Sequence, residues 1–350
     1  MKQLFIVLMV IMGLSSCNQK TSKEEEQANV KYYRQMQFSE TPWDLERGIY
    51  PISADEAKNL NNYKFTWNDD GTLASVEYNR NGVLLGYSNL RAAKITYTYD
   101  GNKQTKHFFD ESGNPIKSNG AFAFEYTLDD NGMRTAMRFL DKDGNPVENG
   151  NNINNYVWTK MDDGMIRELR YNLAGEETVM NPFCPFYELR FSYDPNGYVT
   201  RMANYDDDTL YNCTAENCGD VGVSYFLFKN NANGALLSFS VHNTTGQLSN
   251  LYWGWAKRLN TVDENGNLVE LKMFDQDDEL LSGKSGVPVT KYEYNEQGAL
   301  VKTMSLDADN NLMNNPNNGV AVVEYKYDDQ GKRVETLRFD KDMNPVENNG

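Results

Sequence analysis

The chain has 350 residues, with 50 acidic against 34 basic side chains and a net charge of −16 at pH 7. So acidic a surface repels phosphate backbones, because their binding depends on clustered lysine and arginine. The composition therefore argues against a nucleic-acid partner. The two histidines, His107 and His242, fall within expected strands, where ordinary packing or exposure is the favoured interpretation.

The amino terminus has the form of a secretory signal. Lys2 is followed by an apolar run too short to cross a bilayer, which takes roughly 20 apolar residues. The run ends in LSSC, residues 14–17, which resembles the lipobox of bacterial lipoproteins. The resemblance implies that residues 1–16 are removed and that Cys17 is acylated, for example with palmitate. An ordinary secretory signal that happens to contain cysteine is the alternative.

Residues 17–30 are polar and acidic and predict a flexible tether. Within them, the stretch KEEE at 23–26 resembles the export signal that sends some lipoproteins to the cell surface. These resemblances imply an outer-membrane protein, held by its lipid anchor alone and facing the exterior, with the periplasmic face left open.

The rest of the chain is built from one repeat. Glycines recur every 30 to 37 residues, at Gly71, Gly101, Gly132, Gly164, Gly197, Gly234, Gly266, Gly298 and Gly331. In seven of the nine units Asp or Asn stands three residues earlier, which is typical of a type I turn closed by a glycine with positive φ. Aromatic pairs two residues apart precede the turn and would share one face of a strand.

A second turn, led by Asp or Asn in all nine units, follows about a dozen residues later. Glycine completes it in five units, and Thr209, Asp278, Asn310 and Met343 stand at that place in the others. The seven or eight residues between the two turns suit one strand.

These patterns predict an all-β fold, a tandem antiparallel β-hairpin array that forms a curved sheet or solenoid over residues 63–350. Residues 31–62 are predicted to form an amino-terminal cap. Its short helix would lie at Ser53–Asn62, since Ser53 and Glu56 have the spacing of a capping box.

The stretches YEYNEQGAL, YKYDDQGKR and FSYDPNGYV resemble the tyrosine-aspartate (YD) repeats of Rhs-type and teneurin-like proteins. The resemblance implies hairpins that coil into a long β-sheet. The period here is longer, and neither the large shell-forming array nor a carboxy-terminal toxin segment is present. Toxin delivery and catalytic residues are therefore not carried over.

Candidate chemistry is sparse. The acidic turns DKDGNP (141–146) and DQDDE (275–279) could supply oxygen ligands to calcium, but they lack the spacing of an EF-hand. A structural turn is favoured, and no metal site or cofactor is assigned. For the cysteines, a Cys213–Cys218 bridge is slightly preferred over Cys184–Cys218.

The clearest break in the repeat is LYWGWAKR at 251–258. In an extended strand Trp253 and Trp255 would point the same way, and with Tyr252 they are the candidate ligand-binding residues, because aromatic faces suit sugars and protein partners. Packing into the core is the more ordinary interpretation.

The sequence thus favours a surface-anchored binding or scaffold lipoprotein for a glycan or an envelope protein. An enzyme acting on envelope or external polysaccharide is the alternative, and a purely structural envelope component is the third. No nucleophile or P-loop motif is present, so catalysis is the less favoured reading.

Overall fold

The computed structural model describes residues 29–86, 88–180, 186–211, 223–283 and 286–347. The strands are β1 Val30–Met36, β2 Gly48–Ile52, β3 Asn62–Trp67, β4 Leu73–Arg80, β5 Val83–Leu84, β6 Lys94–Asp100, β7 Lys103–Phe109, β8 Ala123–Leu128, β9 Arg134–Leu140, β10 Asn155–Lys160, β11 Ile166–Tyr171, β12 Glu188–Tyr193, β13 Val199–Asp206, β14 Thr209–Leu210, β15 Tyr225–Asn230, β16 Leu236–His242, β17 Lys257–Val262, β18 Leu268–Phe274, β19 Val289–Tyr294, β20 Leu300–Leu306, β21 Val322–Tyr327 and β22 Arg333–Phe339.

All 22 strands belong to one antiparallel sheet. From β3 onward each long strand pairs with the next long strand along the chain, while β5 and β14 are two-residue arms folded back on β4 and β13. The amino-terminal strand β1 lies between β2 and β3. The predicted all-β hairpin array is therefore confirmed.

The first turn has the predicted geometry in eight of the nine units, and in the second unit Asp100 pairs directly with Lys103 across a two-residue loop. Its glycine has a φ between 57° and 93° in all nine units. In eight of them the glycine N–H donates to the carbonyl three residues earlier at 2.9–3.1 Å, as Gly298 does to Asn295. The strand partners shift by one residue beside most of these turns, for example at Glu293/Tyr294. This is a type I turn with a G1 bulge, and glycine tolerates the left-handed position.

The second turns are held by their leading carboxylate or amide. Asp141 Oδ1 accepts from the N–H groups of Asp143 and Asn145, both at 2.8 Å. The Asn145 amide donates to Asp141 Oδ2 at 3.2 Å. In the fifth unit the expectation for Thr209 is wrong: Asp207 has the positive φ of 50° and Thr209 already pairs with Asp206. A two-residue hairpin has replaced the longer turn there.

The aromatic residues pack from unit to unit. Tyr126 and Trp158, in neighbouring units, stack with ring centroids 6.4 Å apart. The tyrosine before a turn also binds the preceding unit, because Tyr294 Oη donates to Leu268 O at 3.0 Å and Tyr327 Oη to Leu300 O at 2.8 Å. Each fully buried ring contributes roughly 1.5–3 kcal/mol, and the hydroxyl adds direction to the contact.

The predicted helical cap is wrong. The capping box forms, since Ser53 N donates to Glu56 Oε2 at 2.8 Å and Glu56 N to Ser53 Oγ at 3.2 Å. It leads only to a 3₁₀ turn, Glu56–Lys58. Asn62 already starts β3, so the segment is too short to offset the cost of helix nucleation. No helix among the described residues is long and apolar enough to cross a membrane.

In place of a helical cap, β1, β2 and the loop between them form a hairpin, Val30–Ile52, here called the inner hairpin. It runs past the first turns of three distant units, the fifth, sixth and seventh. Arg47 Nη1 donates to Asn196 O at 2.9 Å, and Gln35 Nε2 donates to Asn267 Oδ1 at 2.8 Å. Asn231 Nδ2 donates to Tyr50 Oη at 2.9 Å.

The beginning of the sheet is also hydrogen-bonded to its end. Asn61 N donates to Gln297 O at 2.8 Å, and Arg80 Nη2 donates to Asp329 O at 3.1 Å. These bonds join the first unit to the turns of the eighth and ninth units, so the array curls into a coil. The inner hairpin lies within that coil.

Candidate functional site

The loop of the inner hairpin is anchored to the sheet by a buried group of three charges. Glu46 accepts from Lys106 Nζ and lies 3.4 Å from Arg134 Nη2. Arg134 also donates to the carbonyls of Pro42 at 3.0 Å and Asp44 at 2.6 Å. Burial alone would raise the pKa of Glu46, but Lys106 and Arg134 outweigh it and lower the pKa to about 2. Glu46 is therefore a stable anion between two cations.

A second group fixes the tip of the same loop. Thr41 Oγ1 donates to Glu168 Oε2 at 2.5 Å, and Trp158 Nε1 donates to the same oxygen at 2.9 Å. Tyr193 Oη donates to Asp44 Oδ1 at 2.7 Å. Burial raises the pKa of Glu168 and of Asp44. These side chains are committed to holding the loop in place.

A cavity of about 1000 Å³ lies between the inner hairpin and the inner face of the sheet. This is at the upper end of the roughly 300–1,000 Å³ that ligand sites occupy. Aromatic side chains of the first, eighth and ninth units line it, among them Tyr78, Tyr294 and Tyr325. The cavity is therefore a candidate ligand site.

Three ionisable side chains of this cavity, Arg34, Arg258 and Glu40, form no ion pair within the described residues. Within the described residues, Arg34 and Arg258 have no ion pair, and the Nε of each is buried without a hydrogen-bond partner. Burial lowers the pKa of both guanidinium groups. The Glu40 carboxyl shares the cavity, and burial, reinforced by Asp44, raises its pKa to about 8. At neutral pH Glu40 is thus mostly protonated and does not compensate Arg258, and Asp263, the carboxylate that acts on Arg34, forms no ion pair with it.

We expect Glu40→Gln to flatten the pH dependence of stability between about pH 4.5 and 8. A carboxyl with a raised pKa in the folded protein favours folding most at pH values below its unfolded pKa. That advantage is lost as pH rises through the folded value. Glutamine has no proton to lose. Chemical denaturation of both proteins at several pH values measures the difference, and parallel curves would contradict the assignment.

The sequence-predicted aromatic residues cluster, but in a turn. Gly254 N donates to Leu251 O at 2.8 Å and Gly254 has a φ of 87°, so the expected extended strand is wrong. Trp253 and Trp255 stack at 4.8 Å, and Trp253 Nε1 donates to Trp255 O at 2.8 Å. Tyr252 lies beside Trp253 and is 50% exposed.

Both tryptophans are partly buried against the core, where Trp255 meets Phe239 at 5.6 Å. Packing therefore accounts for part of each indole. Tyr252, Trp253 and Trp255 together are called the aromatic turn below. That the exposed surface of this turn binds a ligand stays a prediction.

The cysteine predictions lie outside the described residues. This holds for the lipidation of Cys17 and for the bridge between Cys213 and Cys218, with Cys184 as the alternative partner.

In the acidic turns, side-chain oxygens of the leading aspartate accept hydrogen bonds from backbone N–H groups. The hydrogen bonds from the Asn145 and Asp143 N–H groups lower the pKa of Asp141, and the corresponding bonds do the same for Asp307. Among the described residues no group of three or more His, Cys, Asp or Glu is placed to hold a metal ion. Calcium at these turns stays an untested prediction.

The two histidines lie apart on different strands. His107 is on β7, where burial lowers its pKa. His242 ends β16, stacks on Tyr225 at 5.0 Å and lies 2.8 Å from Ser240 Oγ. The structure does not bring them together.

The charged residues of the cavity were not found from the sequence. Arg34 and Glu40 fall in the segment interpreted as a cap, and Arg258 follows the tryptophans that drew attention to its stretch. The one signal in the sequence was that Arg258 is the last residue of the stretch 251–258, which departs from the repeat. Nothing in the spacing indicated that positions 40 and 258 face one space.

The fold defines a class, a coiled array of β-hairpin repeats that encloses its own amino-terminal hairpin. No protein-family model matches the sequence, and no curated protein matches it.

Among solved structures, similarity extends to a crystal structure of TcdB2-TccC3-TEV, at 11% identity and a TM-score of 0.30, over 86% of this chain and 16% of that one. The Tc holotoxin pore of Photorhabdus luminescens matches at 13% and 0.27, over 86% and 17%. A porin-like protein from Bacteroides uniformis matches at 11% and 0.26, over 78% and 93%. The chain spans about a sixth of the first two. At these values the likeness assigns neither family nor function.

Proposed function

We propose that the protein is a lipid-anchored binding or scaffold module that presents its β-repeat array to a glycan or a protein at the cell surface. The observation that carries the proposal is the aromatic turn. It projects a half-exposed tyrosine beside two stacked indoles where the repeat is interrupted. Aromatic side chains with a buried base and an open face are typical anchors for sugar rings and protein partners.

The binding test compares Tyr252→Ala/Trp253→Ala with the unchanged protein on glycan arrays and in pull-downs from envelope extracts. Tyr187→Ala is the matched control, since Tyr187 directly precedes β12, away from the aromatic turn, and is 57% exposed. We expect the double variant to lose its partner by tenfold or more while the control keeps it. Equal binding by all three proteins would remove the aromatic turn from the proposal.

The proposed lipid anchoring and cellular location rest on the resemblance of residues 14–17 to a lipobox. The mature chain would begin at Cys17, with the acidic segment to residue 30 as its tether and the outer membrane as its location. Cys17→Ser should move the protein from the membrane fraction to the soluble fraction and abolish labelling by a palmitate analogue. Membrane retention and labelling of the variant would contradict lipid anchoring.

A further inference from the structure

The interior cavity holds cationic groups that the structure itself does not neutralise. Its lining contributes Arg34, Arg91, Lys106, Arg258 and Arg333 on the positive side. Of these, Lys106 is paired with Glu46, Arg333 lies over the Tyr325 ring at 5.0 Å, and Arg91 is exposed. The lining also includes the carboxyl groups of Glu40, Asp44 and Glu46, and none of them forms an ion pair with Arg34 or Arg258.

Arg34 and Arg258 carry the argument. Arg34 is 7% exposed, and its buried Nε has no partner. Arg258 likewise has a buried Nε without a partner and lies over the Phe239 ring at 5.7 Å. A buried cation without a counter-ion costs several kcal/mol. The arrangement becomes favourable when an anion enters the cavity.

Glu40 does not fill that role. Burial lowers the pKa of Arg258 and the Glu40 carboxyl opposes that shift, yet no ion pair joins the two side chains in the described structure. The backbone N–H of Glu40 donates to Asp44 Oδ2 at 2.8 Å. A protonated carboxyl is a hydrogen-bond donor. Glu40 can therefore donate to an anion held by Arg258 rather than compete with it.

Other groups that line the cavity indicate the chemistry of the uncharged part of the ligand. Gln37 Oε1 and Asn260 Oδ1 are buried acceptors without a partner, so they call for hydroxyl or N–H donors. The aromatic rings of Tyr294, Tyr325 and Tyr78 add apolar surface to the lining. A ligand with a carboxylate, several hydroxyls and apolar ring faces satisfies all three sets of groups.

We propose that the cavity between the inner hairpin and the sheet binds an acidic saccharide, with Arg34 and Arg258 holding its carboxylates. Bidentate carboxylate recognition is what the planar guanidinium group does best. The site is separate from the aromatic turn, and the proposal stands whether or not that turn binds a partner.

The first test uses the full chain and three probes: trigalacturonate, its methyl ester and inorganic phosphate. Calorimetry should show binding of trigalacturonate and at least a tenfold weaker affinity for the ester, which has the same body without the charge. Binding should also raise the melting temperature in proportion to the logarithm of probe concentration. No binding of trigalacturonate, or equal affinity for acid and ester, would overturn the proposal. Phosphate binding at equal or higher affinity would overturn the saccharide assignment.

The second test is mutational. Arg34→Met and Arg258→Met should each weaken trigalacturonate binding tenfold or more and raise the melting temperature of the free protein, because each removes a guanidinium group that forms no ion pair and whose Nε is buried without a partner. A merely structural arginine would lower the melting temperature. Arg338→Met on β22, away from the cavity, is the control and should leave both the affinity and the melting temperature unchanged. Unchanged binding in both cavity variants would overturn the assignment.

Discussion

Glu46→Gln lowers the free energy of unfolding by roughly 3–5 kcal/mol, the range for breaking a buried ion pair from one side. The substitution keeps the volume but leaves Lys106 and Arg134 facing each other without the carboxylate between them. Arg134 has a side chain only 1% exposed, so water cannot replace the lost anion. Denaturant unfolding monitored by tryptophan fluorescence measures the loss.

The matched control is Glu335→Gln, which breaks an exposed pair with Lys326 at 2.7 Å. Exposed pairs contribute about 0–1 kcal/mol, so this variant should be close to the unchanged protein. Similar losses in the two variants would show that the three charges do not anchor the loop.

The same substitution has a pH signature. Glu46 has a lowered pKa, so its contribution is complete above the unfolded pKa near 4.5 and is lost as pH falls through about 2. The stability gap between Glu46→Gln and the unchanged protein should therefore narrow steadily between these two values. A gap independent of pH in this window would exclude an ionised Glu46 as its origin.

Gly266→Ala should lower the free energy of unfolding by roughly 2–5 kcal/mol. Gly266 closes a first turn at a φ of 79°, which costs a residue with a Cβ about 1–2 kcal/mol. The added Cβ would also stand 2.5 Å from Tyr50 Cδ2. Tyr50 cannot move freely, because its hydroxyl accepts from Asn231 at 2.9 Å. Overpacking therefore adds about 1–3 kcal/mol.

Gly164→Ala separates the two causes. Gly164 closes the same turn in the fourth unit at a φ of 87°, but an added Cβ meets nothing within 4 Å. It should show the conformational cost alone, about 1–2 kcal/mol. Thermal unfolding of both variants makes the comparison. Equal losses would mean that the inner hairpin does not press on the turn of the seventh unit.

The hairpin units could be predicted because their signals are local. An Asp such as Asp328 and a glycine such as Gly331 specify one turn through bonds that span only four residues. Tyrosine alternation then places rings on one face of the strand. Each unit repeats this chemistry, so the sheet and its order follow from short-range rules.

The interior could not be predicted in the same way. Gln35 meets Asn267, 232 residues away, and Arg80 meets Asp329, 249 residues away. Such contacts depend on how far the sheet curls per unit, which no local pattern encodes. For the same reason the capping box at Ser53 was interpreted as a helix, whereas the surrounding strands leave room for one turn only. Arg34, Glu40 and Arg258 became a site only when the coil closed around them.

Hydrogen exchange of the inner hairpin tests the central claim, that the coiled array encloses its own amino-terminal segment. Strand β1 pairs with β2 from Tyr32 to Met36 and with β3 from Val30 to Tyr33, and Gln37 N donates to Arg47 O at 2.8 Å. Amides of Tyr32–Gln37 should therefore exchange as slowly as those of β12 in the middle of the sheet, with free energies of opening near that of global unfolding. Exchange as fast as that of the exposed second turns would show that the hairpin is not held inside the coil.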